Sequence, residues 1–373
     1  MTWRDCRMGD FMRLQRGHDL PAQDREDGEV PVVSSSGITG YHSKQKAAAP
    51  GVVTGRYGTL GEVFYLDRGY WPLNTALYVT DFKGNDPKFT AYFLRNALKD
   101  YQSDKAAVPG IDRNVLHELK VRAPDLALQL RIVDVLAAYD DLTDNNRRRI
   151  KLLEDSVRLL FDEWFVNAGA LGWPTSTLRQ LCVDNGGIQT GPFGSQLHQA
   201  DYSEEGVPVV MPKDLATMRI DTQTIARIPE HLADELARHR MQRGDIVFGR
   251  RGEIGRRAYI GQRQVGYFCG TGCLRLRPDP ARVHPRFLFE ILRAPAVAGD
   301  ITNRAKGSTM ANLSAGALQG VTVPVPPREL QDRFATFAED VGEQIDTLDE
   351  QSRKLRAARD LLLPRLMSGQ LTV

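Results

Sequence analysis

APDLALQLRIVDVLAAYDDLTDNNRRRIKLLEDSVRLLFDEWF, Ala123 to Phe165, is the stretch on which the fold turns. Steps of four and three residues through it pick out Ile132, Leu136, Tyr139, Thr143, Asn146, Ile150, Leu153, Val157, Leu160 and Trp164. A 3.5-residue period kept for this long is the signature of a coiled coil. The same steps recur at an offset of 202 as Phe334, Ala338, Val341, Ile345, Leu348, Ser352, Leu355, Arg359, Leu362 and Leu366. Each copy therefore predicts one helix of about 40 residues, about 60 Å long at 1.5 Å per residue. A stripe of that length needs a partner. Because a whole domain separates the copies, they are expected to pair with each other, antiparallel about a pseudo-two-fold axis. The alternative is two independent helices, each packed on its own domain. Thr143, Asn146, Ser352 and Arg359 interrupt the stripe and would fix its register.

Both helix starts are marked, by Ala123-Pro124-Asp125 and by Pro326-Pro327-Arg328. Proline there stops a preceding strand while tolerating the free N–H groups of a first helical turn. Asn167-Ala168-Gly169 supplies the exit from the first helix, and Pro364 is expected to kink or end the second.

Outward from the helices the repeat continues. VPVV at Val30 to Val33 recurs at Val207 to Val210, and GRYGTLG at Gly55 to Gly61 recurs as GRRGEIG at Gly249 to Gly255. PKF at Pro87 to Phe89 answers PRF at Pro285 to Phe287, with Arg95 and Arg293 six residues beyond. The offset climbs from 177 through 194 and 198 to 202, so the halves are collinear and the second carries the insertions, the largest between Pro212 and Gly244. The non-helical parts hold short β-rich runs: Gly51 to Thr54, Glu62 to Leu66, Thr75 to Val79, Asp245 to Phe248 and Gly272 to Leu276. Amphipathic stretches after Pro87 and Pro285 add a helix each. The expected class is α+β: domains at 1–124 and 168–326, and long helices at 125–167 and 327–373.

Composition narrows the functional classes. The 373 residues include 49 Lys plus Arg and 47 Asp plus Glu, and a net charge of +2 neither requires nor excludes DNA, so any anion-binding surface must be local. Four cysteines without zinc-ligand spacing are read as reduced thiols of a cytosolic protein. No run reaches 18 apolar residues and MTWRDCRMGDFMRL is too charged for a signal peptide, so a protein neither membrane-spanning nor secreted by that route is expected.

Catalytic signatures are missing. Gly249 to Gly255 lacks the lysine of a P-loop, and Gly270-Thr271-Gly272 lies in a strand-like run instead of opening a helix. Asn85-Asp86-Pro87-Lys88-Phe89 is not the Asn/Asp-Pro-Pro-aromatic motif of an amino-methyltransferase. No zinc-deaminase, zincin or nucleophile-elbow motif appears, and no metal site is expected. Asp162 and Glu163 are read as solvated charges on the outer helix face.

What remains is a paired set of basic turns. Gly55-Arg56-Tyr57-Gly58 and Gly249-Arg250-Arg251-Gly252 put guanidinium groups on tight turns where a backbone approaches a phosphate, and Arg256 and Arg257 follow. Further basic loops precede the helices, at Lys105 to Arg113 and at Arg304 to Ser308 with Lys306. Candidate base readers are Lys44, Lys46, Asn74, Gln189, Gln196 and Lys213, and Ser195 is a further candidate for DNA contact. The alternative for each arginine is a solvated hairpin end. Arg147-Arg148-Arg149 with Lys151 is read first as a solvated face, and otherwise as contact with DNA or an acidic partner. Ile132, Leu136, Ile150, Leu153, Leu160, Trp164, Phe334, Val341, Ile345, Leu348, Leu355 and Leu362 form the expected seam. Leu159, Phe161 and Phe165 are left for a partner subunit or for the chain's own domain.

LLEDSVRLLFDEWF at Leu152 to Phe165, VTVPVPPRELQDRF at Val321 to Phe334 and GIQTGPFGSQL at Gly187 to Leu197, set in this duplicated order, resemble the specificity (S) subunit of type I restriction-modification systems. The first half has no GPFGSQL-like segment. The resemblance implies two target recognition domains held apart by conserved helices, each reading half of an asymmetric double-stranded DNA site. It also implies no cofactor and no catalysis in this chain. Two modification subunits would carry S-adenosylmethionine and methylate adenine, and restriction subunits would add ATP and Mg. A helix of about 60 Å exceeds a DNA turn of about 34–36 Å and would set the spacer between half-sites. The competing reading is a duplicated coiled-coil protein–protein adaptor; a self-sufficient DNA-modifying enzyme is disfavoured by the missing motifs.

Overall fold

The computed structural model describes residues 3–57, 61–99, 110–167, 172–193, 196–216, 218–305 and 312–373. The chain divides into two compact units, 1–146 with 351–373, and 147–350. The division cuts both long helices, so each unit owns a segment of each and is not simply a domain plus the helix that follows it.

The first long helix runs Leu126–Phe161 and continues as a π-type turn, Asp162–Asn167; the second runs Arg328–Ser368. No position of either 4-3 series is fully exposed. In the first unit Leu128, Ile132 and Leu136 share a core with Leu363, Leu366 and Met367. In the second, Ile150, Val157 and Phe161 share one with Phe334, Ala338, Val341, Ile345 and Leu348. Early residues of one helix meet late residues of the other, so within each unit the segments pair antiparallel. Pro364 does not end the second helix. It forfeits one backbone bond, but Leu363, Leu366 and Met367 are buried around it and hold the last turns in place.

Two of the polar interruptions, Thr143 and Arg359, find partners inside the first unit. Thr143 donates to the Tyr139 carbonyl at 2.8 Å, and Asp140 pairs with Arg359 while accepting the Tyr92 hydroxyl at 2.5 Å. Such a seam tolerates only the register that keeps these partners together.

The repeat extends to the sheets strand by strand. The first unit has an antiparallel four-stranded sheet in the order Arg13–Arg16, Ala76–Asp81, Gly51–Gly55, Val63–Leu66. The second has Ile188–Thr190, Cys273–Leu276, Ile246–Gly249, Arg257–Tyr259, also antiparallel. Three-stranded sheets match too, each with one parallel pairing: Val30–Ser34 beside Trp71–Pro72, and Val207–Val210 beside Phe268–Cys269. A further antiparallel pair leads into each long helix, Trp3–Arg7 with Lys120–Pro124 and Thr175–Thr177 with Thr322–Pro324. Within the insertion after Pro212 lie a short antiparallel pair, Leu215–Ala216 with Arg219–Ile220, and a helix, Glu230–Glu235.

One buried residue per unit joins strand, helix and domain. Gln129 accepts the Asp86 N–H at 2.9 Å and donates to the Pro124 carbonyl at 2.9 Å. Gln331 accepts the His284 N–H at 2.8 Å and donates to the Pro326 carbonyl at 2.8 Å. Asp86 and His284 cap the helices Pro87–Leu98 and Pro285–Ile291. Gln331→Leu would orphan two groups at about 1–3 kcal/mol each. A melting temperature lowered by several degrees is expected, and a melt superimposable on wild type would show the bonds to be dispensable.

Phe161 and Phe165 are 0% and 1% exposed, inside the core of the second unit, and so do not form a partner-facing surface; Leu159, 63% exposed, does remain on the outside. A helix turned toward a domain as well as toward its sister helix has two buried faces. Asp162 is likewise not merely solvated: it pairs with Arg293 at 3.2 Å.

Candidate nucleic-acid interface

Each four-stranded sheet delivers one arginine to the same station. Gly55 pairs with Ala76 and Gly249 with Cys273, and the next residue in each case is arginine. The Arg56 N–H donates to the Thr75 carbonyl, and the Arg56 carbonyl accepts the Ile111 N–H, both at 2.9 Å. The Arg250 N–H donates to Gly272 at 2.9 Å, and its carbonyl accepts Leu313 N–H at 2.8 Å. Main-chain bonds thus fix both residues where the end of an inner strand meets the segment leading to a long helix.

In the first unit this place is a cleft of about 300 Å³ lined by Arg16, Arg56, Tyr57, Asp112, Arg113 and Asn114. The Arg56 guanidinium lies over the Tyr57 ring, 4.5 Å from its centroid, a geometry that fixes the guanidinium plane and leaves its edge N–H groups for a ligand. Asp112 is occupied, accepting the Asn114 N–H at 2.9 Å. Among the described residues, no carboxylate forms an ion pair with Arg16, Arg56 or Arg113.

In the second unit Arg250 Nε donates to Asn312 Oδ1 at 3.3 Å. Burial, and then the neighbouring Arg251, hold the Arg250 guanidinium below its ordinary pKa. It remains a cation, and a bound anion would relieve the strain on it. Arg251 itself is exposed.

The other candidates are less free. Arg256 is tied to Glu253, Asn74 donates to Asp19, and Gln189 accepts from Arg275 at 3.1 Å. Lys44 sits 3.4 Å from Glu26, and the Lys46 ammonium lies 5.7 Å from the Trp71 ring centroid. Lys213 is exposed, and Gln196 keeps a buried Oε1 with no partner among the described residues. Ser195, Lys306 and residues 105–109 of the first basic loop lie outside the described residues. Arg257 is not part of a basic rim: it is 3% exposed and sits over Phe248 and Phe289, with its pKa pushed down to about 10 chiefly by burial. In a strand the side chain two residues after a surface position faces the same way only if the strand has begun; the chain turns at Gly255, and Arg257 opens the strand facing inward.

The sequence reading missed Arg16 and Asn114. A lone arginine at a strand end carries no local signal; only the sheet register brings it to Arg56.

Arginines also hold the second recognition body to its own helix segments. Arg243 reaches Glu339 at 2.6 Å, Arg263 pairs with Glu350 and donates to Thr347 at 3.0 Å, and Arg219, from the insertion, reaches Glu154 at 3.0 Å. The cysteine thiols are structural by position: Cys182 and Cys269 are pushed up to about 12 by burial, and all four cysteines are free. Among the described residues no cluster of His, Cys, Asp and Glu is arranged to hold a metal, and no helix is long and apolar enough to cross a membrane.

Two α+β units of matching topology, each with antiparallel segments of the long helices and one fixed arginine at the same station, define a class with two similar modules on one chain. The model of the type I restriction modification DNA specificity domain matches residues 1–155 and 199–357, so the chain belongs to that family and has a DNA sequence-recognition role. It is 19% identical to the MjaVIII type I restriction enzyme specificity subunit of Methanocaldococcus jannaschii over 100% of this chain and 93% of the relative. It is 22% identical to the MjaIX specificity subunit of the same organism, over 76% of this chain and 68% of the relative. The fold is shared with the crystal structure of the type I restriction-modification S subunit from M. genitalium, at a TM-score of 0.62 and 17% identity, covering 98% and 96% of the two chains.

Proposed function

We propose that this chain is the non-catalytic, cytoplasmic reader of a bipartite, asymmetric duplex-DNA site, one half per recognition unit, and that it docks two modification subunits that methylate adenine. S-adenosylmethionine belongs to those partners, and ATP and Mg to restriction subunits where these join. The observation that carries the reading is the matched station of Arg56 and Arg250, identical in backbone bonding and different in its flanks: a common grip with different neighbours suits two different half-sites. Leu152 and Leu159, exposed one heptad apart on the first long helix, suit an apolar partner surface.

The test is to purify the chain with its modification subunits, map the adenines methylated in the host genome, and titrate duplexes carrying that motif. Arg250→Ala with Arg251→Ala is expected to weaken binding to every sequence, by about tenfold for each phosphate no longer held. Undiminished binding at physiological salt would reject the second-unit station as a DNA grip.

A further inference from the structure

We propose that the arginine cleft of the first unit is a seat for one phosphodiester of the DNA backbone, and that the matching stations of the second unit carry one arginine where the first carries three. This rests on the DNA-reading role proposed above. Three cations line one small cavity, and among the described residues no carboxylate neutralises them by an ion pair; the carboxylate at the rim, Asp112, is engaged by Asn114 N–H. Guanidinium groups gathered in this way attract an anion. A base edge presents at most a pair of acceptors to one guanidinium, whereas a phosphate offers several acceptor lone pairs and a full negative charge to all three.

The duplication supplies a comparison inside the same molecule. Arg16 pairs in its sheet with Leu77 where Thr190 pairs with Leu274, and the next residues, Gly17 and Gly191, both donate to the strand opposite, at 3.0 Å. Arg16 and Thr190 therefore occupy one station. Asp112 and Ser314 both cap the short helix that follows, so Arg113 answers to Ala315. Only Arg56 survives across the repeat, as Arg250. At these three stations the first unit presents three guanidiniums and the second one, Arg250, beside Arg251.

The experiment uses the full chain in complex with its modification subunits and the duplex carrying the mapped motif. Each phosphate of the half-site read by the first unit is replaced singly by a neutral methylphosphonate. One position is expected to weaken wild type about tenfold and to leave the Arg16→Ala, Arg56→Ala, Arg113→Ala triple variant unaffected, because its partner is already gone. The slope of log affinity against log salt should fall by about 0.9 in the triple variant, the release expected for one phosphate. The Arg→Lys triple variant should keep that slope while losing affinity, since lysine retains charge without the bidentate fork. Arg16 and Arg113 are exposed, and a melt matching wild type confirms that the variants fold.

Continued sensitivity of the triple variant to every methylphosphonate that affects wild type, or an unchanged salt slope, overturns the cleft assignment while leaving DNA recognition intact. Inorganic phosphate that binds the wild-type complex but not the triple variant, and leaves DNA affinity unchanged at constant ionic strength, would assign the cleft to a free phosphate, which also overturns it. No preference of the wild-type complex for its own motif over a scrambled duplex would remove the DNA reading itself.

Discussion

Phe161→Ala is expected to destabilise the second unit by about 3–5 kcal/mol, a large part of the roughly 5–15 kcal/mol that holds a domain folded. The ring lies 4.9 Å from Phe165, 5.4 Å from Phe334 and 6.0 Å from Phe287, centroid to centroid, and the Arg293 guanidinium covers it at 5.0 Å. Removing it opens a cavity where both long helices and the helix Pro285–Ile291 converge, and none of the three can close it alone. Hydrogen exchange reads the effect by unit. Amides of Ile246–Gly249 should lose protection by several orders of magnitude, while those of Gly51–Gly55, in the first unit, keep theirs. Phe161→Leu, which keeps most of the volume, should lose much less. Equal protection in wild type and the alanine variant would mean that this aromatic cluster does not hold the unit together.

The second large effect is expected from Asp245→Ala. The carboxylate side chain is 1% exposed and accepts three bonds of 2.7 Å, two from Arg277 and one from the Gln242 N–H. Without it Arg277 is an uncompensated, mostly buried cation, at a cost of about 3–5 kcal/mol. Because Asp245 immediately precedes the strand Ile246–Gly249, which leads into Arg250, the loss should reach DNA affinity as well as stability. The discriminating variant is the double one. Asp245→Ala with Arg277→Met removes both charges and should recover most of the stability in urea melts; if the double variant is as unstable as the single one, backbone support by the carboxylate outweighs the ion pair.

The helices were legible because their signal is periodic and local: a 4-3 stripe repeated at one fixed offset needs no knowledge of the rest of the chain. Strand positions came through for a similar reason, since Gly51 to Thr54 and Gly272 to Leu276 are short β-rich runs bounded by turns. Burial of a particular residue on a shared helix was not legible. Whether Phe161 or Leu159 faces solvent depends on which domain covers the helix, and periodicity defines only the sister-helix face. The site divided the same way. Arg56 and Arg250 stood out because glycines flank them in both copies, whereas Arg16 acquires meaning only through pairing with a strand some sixty residues away. Arg257 was misread because a charge in a basic run looks solvated; two phenyl rings and burial say otherwise. Gln129 and Gln331 are the same residue at the same offset, a signal that was present but lacked a motif to announce it.

The division of the two long helices between the units has a consequence for the order in which the protein assembles on the ribosome. Residues 147–350 are contiguous, so the second unit is complete once its own chain has emerged. The first unit begins at the other end of the sequence, yet its core needs Leu363, Leu366 and Met367, which are made after the whole of the second unit. At roughly 5–20 residues per second, its sheet waits for tens of seconds with the surface that will meet those three side chains uncovered. The unit translated first is thus the one finished last, and a chain truncated after residue 350 would hold every residue of the second unit while lacking part of the first unit's core.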